Sequence, residues 1–446
     1  MKLPASLSSS SALFLLLLQK AGGLCPAEAL TAFLGTTSDI PFILNECLSA
    51  GLIRTDEKNT IYLVEDIDEE YILDTFSFYS RNYSSISLSF CMISFINKDY
   101  LSFLQSSLKI INTYYLKSNI DILLICYDII AKMILKIRII KGKRSDYIDF
   151  ISIVKSIQKY ATLVFLNSKY IFHVFYKIRS YAYYIGDMRT IYYVDLSIGA
   201  FNIIRRDHKK SLKNHTFMKK GVDGIFSIGD NDIILQSADL ISLFYLINGE
   251  YFKNLAFHSS IIHKFSSSQS DRSIMLRVSF FSALGAISIG RYRKAKVIIL
   301  SVLPWLKNAT IFENKLIYSI LGHIYTLMKD YTAADEVFLK IYHMHSYKTS
   351  FAHRLFSEYF IYFMYRKGID SLDRIHMEIL DALIRSKKIG YTYIFIPGYF
   401  EFFTSSVMRK LLNIDIYNII DRLKEGMLSP FPLVQALNMR IYGYYL

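Results

Sequence analysis

His343, His345 and His353 stand close together beside Tyr342 and Tyr347, an arrangement that invites comparison with a metal site. Imidazole binds zinc, but a stable site needs a complete ligand set at a defined spacing. No Asp or Glu lies in this segment and the spacing matches no zinc pattern, so these histidines read as surface or packing residues. Nucleophiles fare no better. The chain lacks a Gly-x-Ser-x-Gly turn, and its isolated Ser and Cys residues have no assignable base. No Gly-x-x-x-x-Gly-Lys-Ser/Thr loop is present to cradle a nucleotide. No catalytic, metal-binding or cofactor-binding residue is therefore assigned, no cofactor is expected, and the chain reads as non-enzymatic.

The densest charge lies at Arg205, Arg206, Lys209, Lys210 and Lys213, continued by Lys219 and Lys220. Such a cluster suits a polyanion, and equally suits a solvated loop between two helix pairs. The 35 Tyr and 32 Phe against one Trp pose a similar choice. Tyr offers broad amphipathic contact area at low entropy cost, so part of this set could line a binding groove while most of it fills the core. A compositional bias toward Ile, Tyr, Lys, Ser and Phe would also produce the formal charge of +14 without any polyanion partner.

These residues must be carried by folded elements, because 52% hydrophobic and 20% charged residues exclude a disordered chain. At 446 residues the chain exceeds the size at which a single core stops growing, about 250–300 residues, so it splits or repeats. Cys25, Cys47, Cys91 and Cys126, none in a Cys-x-x-Cys pair, suit a reducing compartment as buried, inert thiols. The apolar run from Ile120 to Ile140 is broken by Asp121, Asp128, Lys132, Lys136 and Arg138, and no stretch approaches the ~20 apolar residues of a membrane span. The start, Lys2 followed by Ser11 to Leu18 and Ala21-Gly22-Gly23, imitates a secretory signal. Its basic region is a single Lys, however, and the pattern runs on into a folded domain, so the expected location is cytoplasmic.

Residues 1–70 predict three helices and a hairpin. Ser11 to Lys20 is ended by Gly22-Gly23; Pro26 to Phe33 is ended by Gly35; and a third helix, capped by Ser38, runs through Ile40, Ile43, Leu44, Cys47 and Leu48 to Gly51. Leu52 to Arg54 and Ile61 to Val64 then flank the polar turn Asp56 to Asn59 as a two-stranded wing. This segment resembles the winged helix that follows the nucleotide-binding domain in bacterial regulators of the MalT and AfsR kind. Winged helices often bind DNA. Here the third helix carries Asp39 and Glu46 and no Lys or Arg, which suits a packing or protein-contact module better than a groove reader.

From Tyr71 onward, apolar residues recur every three or four positions between short breaks. Gly249-Glu250-Tyr251, Gly290-Arg291-Tyr292, Lys329-Asp330-Tyr331 and Gly368-Ile369-Asp370 recur every 39 to 41 residues, the period of a helix-pair solenoid. Tyr318, Leu321, Gly322 and Tyr325, followed by Ala334 and Phe338, resemble the tetratricopeptide pattern, in which small residues let helices approach and bulky ones fill the remaining space. Longer-helix copies of this kind are a feature of the sensor domains of MalT/LuxR-type regulators. The P-loop domain and the C-terminal DNA-binding helix-turn-helix of that family are not recognisable in this chain.

The expected fold is all-α, a superhelix of tetratricopeptide-like helix pairs with a small N-terminal winged-helix domain. Its parts are residues 1–70, irregular helical repeats over 71–240 and tetratricopeptide-like repeats over 241–446. The expected function is that of a regulatory or adaptor protein binding a protein, a peptide or a small effector, with Tyr318, Tyr325, Arg291 and Arg293 as candidate contacts. Two alternatives stand beside it. One is a DNA-binding regulator using the wing and the Arg205 to Lys213 cluster. The other is a PCI-like scaffold subunit of a large complex, whose winged helix would follow the helices, not precede them.

Overall fold

A computed structural model describes chiefly residues 6–36, 39–68, 84–116, 120–136, 169–205, 211–265, 272–344, 351–368 and 373–376. These are mostly helical, with one small antiparallel sheet. The chain divides into two compact units, Met1–Tyr160 with Asn167–Gly186, and Ala161–Leu166 with Asp187–Leu446. The break read from the sequence at Gly186-Asp187 is where the first gives way to the second.

The first unit opens with α1 (Ser9–Lys20), β1 (Leu24–Pro26), a 3-10 turn at Ala27–Ala29, α2 (Leu30–Leu34), α3 (Ile40–Ser49), β2 (Ile53–Thr55) and β3 (Thr60–Leu63). The predicted helices and hairpin are present, and the sheet has a third strand: its order is β1-β3-β2, with Cys25 opposite Ile61 and Thr55 opposite the same residue. Pro26 therefore ends a strand and does not sit inside the first turn of the second helix. Ser38 lies outside the described residues; Asp39 occupies the N-cap of α3 without a side-chain capping bond. At the hairpin tip, Asp56 accepts from the backbone N–H groups of Lys58 (2.9 Å) and Thr60 (2.8 Å) and from the Tyr62 hydroxyl (2.8 Å). These bonds, Thr60's foremost, hold its carboxyl below the usual range.

The apolar run Leu13 to Leu18 is fully buried, which is the use α1 makes of its signal-like sequence. Glu46 ties α3 to the start of α1. It accepts from the Ser8 backbone N–H (3.0 Å) and from the Ser8 and Ser11 hydroxyls, and although partial burial opposes ionisation these bonds keep its carboxyl below the ordinary value. At the other end of α1, Lys132 on α6 donates to the Lys20 carbonyl (2.9 Å) and pairs with Asp128 (2.8 Å), a cation on a helix C-terminus. This charge breaks the apolar run 120–140 because it has a capping task. Helices α4 (Leu88–Ile96), α5 (Tyr100–Leu116), α6 (Ile120–Lys136) and α7 (Lys169–Ile185) pack in succession. All four cysteines are buried and unpaired, and burial raises the thiols of Cys25, Cys47 and Cys91 to about 12 and that of Cys126 well above its usual value. No helix among the described residues is long and apolar enough to cross a membrane.

The second unit contains α8 (Met188–Arg205), α9 (Ser211–Ile228), α10 (Asn231–Gln236), α11 (Ala238–Ile247), α12 (Tyr251–Phe265), α13 (Arg272–Ser288), α14 (Tyr292–Val302), a 3-10 segment (Leu303–Asn308), α15 (Ile311–Leu327), α16 (Tyr331–Tyr342) and α17 (Phe351–Lys367). From α11 onward each first helix touches both its own partner and the next first helix: α11 packs on α12 and α13, α13 on α14 and α15, α15 on α16 and α17. The periodic breaks share one geometry. Gly249, Gly290 and Lys329 have positive φ (71°, 72° and 63°), and the residue after each donates its N–H back five positions, Glu250 to Tyr245, Arg291 to Ala286 and Asp330 to Tyr325, all at 2.9 Å. That is a Schellman closure, built for glycine and here once imposed on a lysine. A Cβ on Gly322 would fall 2.7 Å from the Phe338 ring, so the small-and-large pairing read from the sequence holds for this couple. Tyr325, expected to fill the same core, is only half-buried.

The closest helix contact was not anticipated. A Cβ on Gly221 in α9 would lie 2.7 Å from both the Leu196 backbone N and the Tyr192 carbonyl O of α8, and Gly199 and Gly224 meet the opposing helix as tightly. Backbone cannot step aside as a flexible side chain can. Gly221→Ala is accordingly expected to lower the urea midpoint, by about 1–3 kcal/mol or more of stability, despite the better helix propensity of alanine. An unchanged midpoint would show that these helices can separate freely.

Candidate functional site

Four residues were expected to meet a partner, and the fold disperses them. Tyr318 and Tyr325 both lie on α15. Lys340 of α16 donates to the Tyr318 hydroxyl oxygen (2.8 Å) with its ammonium 4.2 Å from the ring centroid, and Lys296 of α14 lies 4.7 Å over the Tyr325 ring. Both tyrosines are thus engaged by lysines of the second helices, a cation–π use that the sequence reading overlooked. Arg291 stacks over Phe252 of α12 at 5.3 Å, and Arg293 is exposed on α14. Three of the four border α14, which contributes Arg291 at its N-cap, Arg293, Lys294 and, over Tyr325, Lys296.

Carboxylates are scarce around this surface. Helices α12, α13 and α14 contain none, and the single one in α15, Glu313, is buried away from it. The positive field reaches inward: burial first, then Lys294, pushes the His258 imidazole down to about 4. Continuing outward along α14, Val297 (65% exposed) and Leu300 (38%) follow Arg293 at helical spacing, and Phe252 (64%), under Arg291, is exposed at the start of the helix. The arrangement can attract anionic groups at one end and cover apolar side chains at the other.

Of the polyanion candidates, Arg206, Lys209 and Lys210 lie outside the described residues, and so does the side chain of Arg205, the last residue of α8. Lys213 is exposed on α9, its ammonium 5.6 Å over the Phe217 ring. His345 and the side chain of His353 also lie outside; His343 is exposed with its ring edge-on to Tyr342. Among the described residues no group of three or more potential ligands forms a metal site.

Two charged clusters escaped the sequence reading. Arg277 on α13 donates through Nε to Asp239 Oδ2 on α11 (2.6 Å) and through Nη1 to Ser273 Oγ (2.7 Å), and lies 3.8 Å from Glu313 Oε1 on α15. Ser273 also donates to Glu313, which accepts from the Thr310 N–H and hydroxyl (both 3.0 Å) in a capping box. One buried network therefore joins three successive first helices. In the second cluster His376 lies between Asp335 Oδ1 (Nε2, 2.5 Å) and Asp373 Oδ1 (Nδ1, 2.6 Å), and Lys367 holds the other Asp335 oxygen at 2.9 Å. This imidazole joins α16 to the chain beyond α17. No protein-family model, curated protein or solved structure matches the chain.

Proposed function

We propose that this chain is a non-enzymatic interaction protein, a winged-helix module followed by tetratricopeptide-like helix pairs, akin to the sensor portion of MalT/LuxR-type regulators and recognising a protein, a peptide or a small effector. The observation that carries the reading is the recurring unit in which each first helix contacts its partner and the next first helix, closed by the same turn every 39 to 41 residues. Such stacking leaves extended surfaces rather than a catalytic cleft, which is how helix-pair arrays are used. The order α1-β1-α2-α3-β2-β3 is the basis for reading the first module as a winged helix. On it, α3 turns Pro41, Phe42, Asn45 and Leu48 outward and spends Glu46 on α1, a surface without cations that suits protein contact better than a phosphate backbone.

The discriminating experiment is a pull-down with the purified full chain, run beside binding to random duplex DNA at low and physiological salt. Recovery of specific proteins with little DNA affinity is the expected result. The DNA-regulator alternative requires binding that falls steeply with salt and is lost when Arg205, Arg206, Lys209, Lys210 and Lys213 become Ser. That outcome would overturn the proposal.

A further inference from the structure

From the α14 surface we infer the chemistry of one partner: an amphipathic helical segment whose apolar stripe is flanked at one end by carboxylates. The inference rests on the interaction-protein reading and specifies it. Between Tyr251 and Lys329 the acidic residues are Asp271 and Glu313 alone, and Arg277 engages the latter. Arg291, Arg293, Lys294 and Lys296 therefore have no carboxylate on α12, α13 or α14 to pair with, and they crowd the N-terminal turns of a helix whose own dipole disfavours cations there. Carboxylates of a partner would relieve both effects.

The second half of the surface decides what kind of anion. Arg293, Lys294, Val297, Leu300 and Ser301 form one exposed stripe, charged over its first turn and aliphatic beyond it. Arg293 and Leu300 are two helical turns apart, about 10 Å. A nucleic acid would want cations repeated along the track and flat rings for its bases. Here the cations stop after Lys296, aliphatic side chains take over, and the nearby Phe252 ring is already faced by Arg291. An acidic helix with apolar anchors at i, i+3 and i+4 matches both halves.

The test uses the full chain and a fluorescein-labelled synthetic peptide of about 18 residues, long enough to form a helix on contact, with Leu at helical spacing and Glu grouped at one end. Comparison probes are the same peptide with Gln for Glu, random duplex DNA, and phosphatidylcholine–phosphatidylserine vesicles. Binding of the Glu peptide is expected to fall about tenfold or more in the Gln version and in the Arg293→Ser/Lys294→Ser variant, and severalfold in Val297→Ser/Leu300→Ser, with the urea midpoints of both variants close to that of the parent. Absence of peptide binding, equal binding of the Gln peptide, or binding of DNA or vesicles that the same variants abolish would overturn the inference. Specific proteins recovered equally by parent and variants would also overturn it, while leaving the interaction-protein reading intact.

Discussion

Arg277→Met should destabilise the second unit by about 3–5 kcal/mol, because it leaves Asp239 and Glu313 as buried carboxylates without their shared cation. Methionine keeps most of the aliphatic volume, so the loss reports charge and hydrogen bonding more than a cavity. The two carboxylates are not equally exposed to the change. Glu313 retains Thr310 and Ser273, whereas Asp239 loses its 2.6 Å charge-assisted bond from Arg277. Adding Asp239→Leu to Arg277→Met should therefore recover a large part of the loss, giving a coupling energy of about 1–3 kcal/mol in a double-mutant cycle. Urea unfolding with an unchanged slope is the measurement. A single variant within about 0.5 kcal/mol of the parent would mean that water reaches the network and that it does not bind the three helices together.

Particular residues explain what the sequence discloses about this architecture. The hairpin Ile53 to Leu63 is legible because alternating side chains surround a turn whose Asp56 closes it locally. Strand β1 is not, since three residues ending in proline carry no period and acquire strand geometry only by pairing with β3. The repeat breaks are legible because a positive-φ residue must stand at each one, and glycine usually does. The buried network leaves a trace in the sequence: Asp239, Arg277 and Glu313 are charges in largely apolar helices, 10, 13 and 16 residues before their respective turns. Each step carries the charge one helical turn farther from the break, a shift that a search at constant register cannot find. Of the candidate contacts, Arg291 and Arg293 lie at the start of α14, and the two tyrosines are faced by lysines of the second helices. The basic segment from Arg206 to Lys210 lies outside the described residues.

Acid should unfold the second unit through two histidines that neutral pH conceals. His323 on α15 is fully buried, stacked on Tyr359 at 4.2 Å with rings 5° from parallel, and neither ring nitrogen has a hydrogen-bond partner. Burial pushes its imidazole down to about 3, while burial and then Lys294 push His258, bonded to Ser279 Oγ at 3.1 Å, down to about 4. In the folded state both stay neutral over a range in which the unfolded chain, at the ordinary 6.5, binds a proton. The unfolded state thus holds more protons, so stability falls as pH drops below about 6.5 and goes on falling until each folded value is reached. At pH 5 the loss is about 2 kcal/mol for each histidine. The two substitutions separate at neutral pH. His323→Phe keeps the stack on Tyr359 and removes two unpaired polar atoms, so it should raise stability by about 1–3 kcal/mol, whereas His258→Leu strands the Ser279 hydroxyl and should lower it. Both should flatten the pH dependence between 6.5 and 4, measured by urea titrations at fixed intervals. A His323→Phe profile as steep as the parent's, with no gain at pH 7, would mean that the ring is solvated in solution and that the α15–α17 contact opens to admit water.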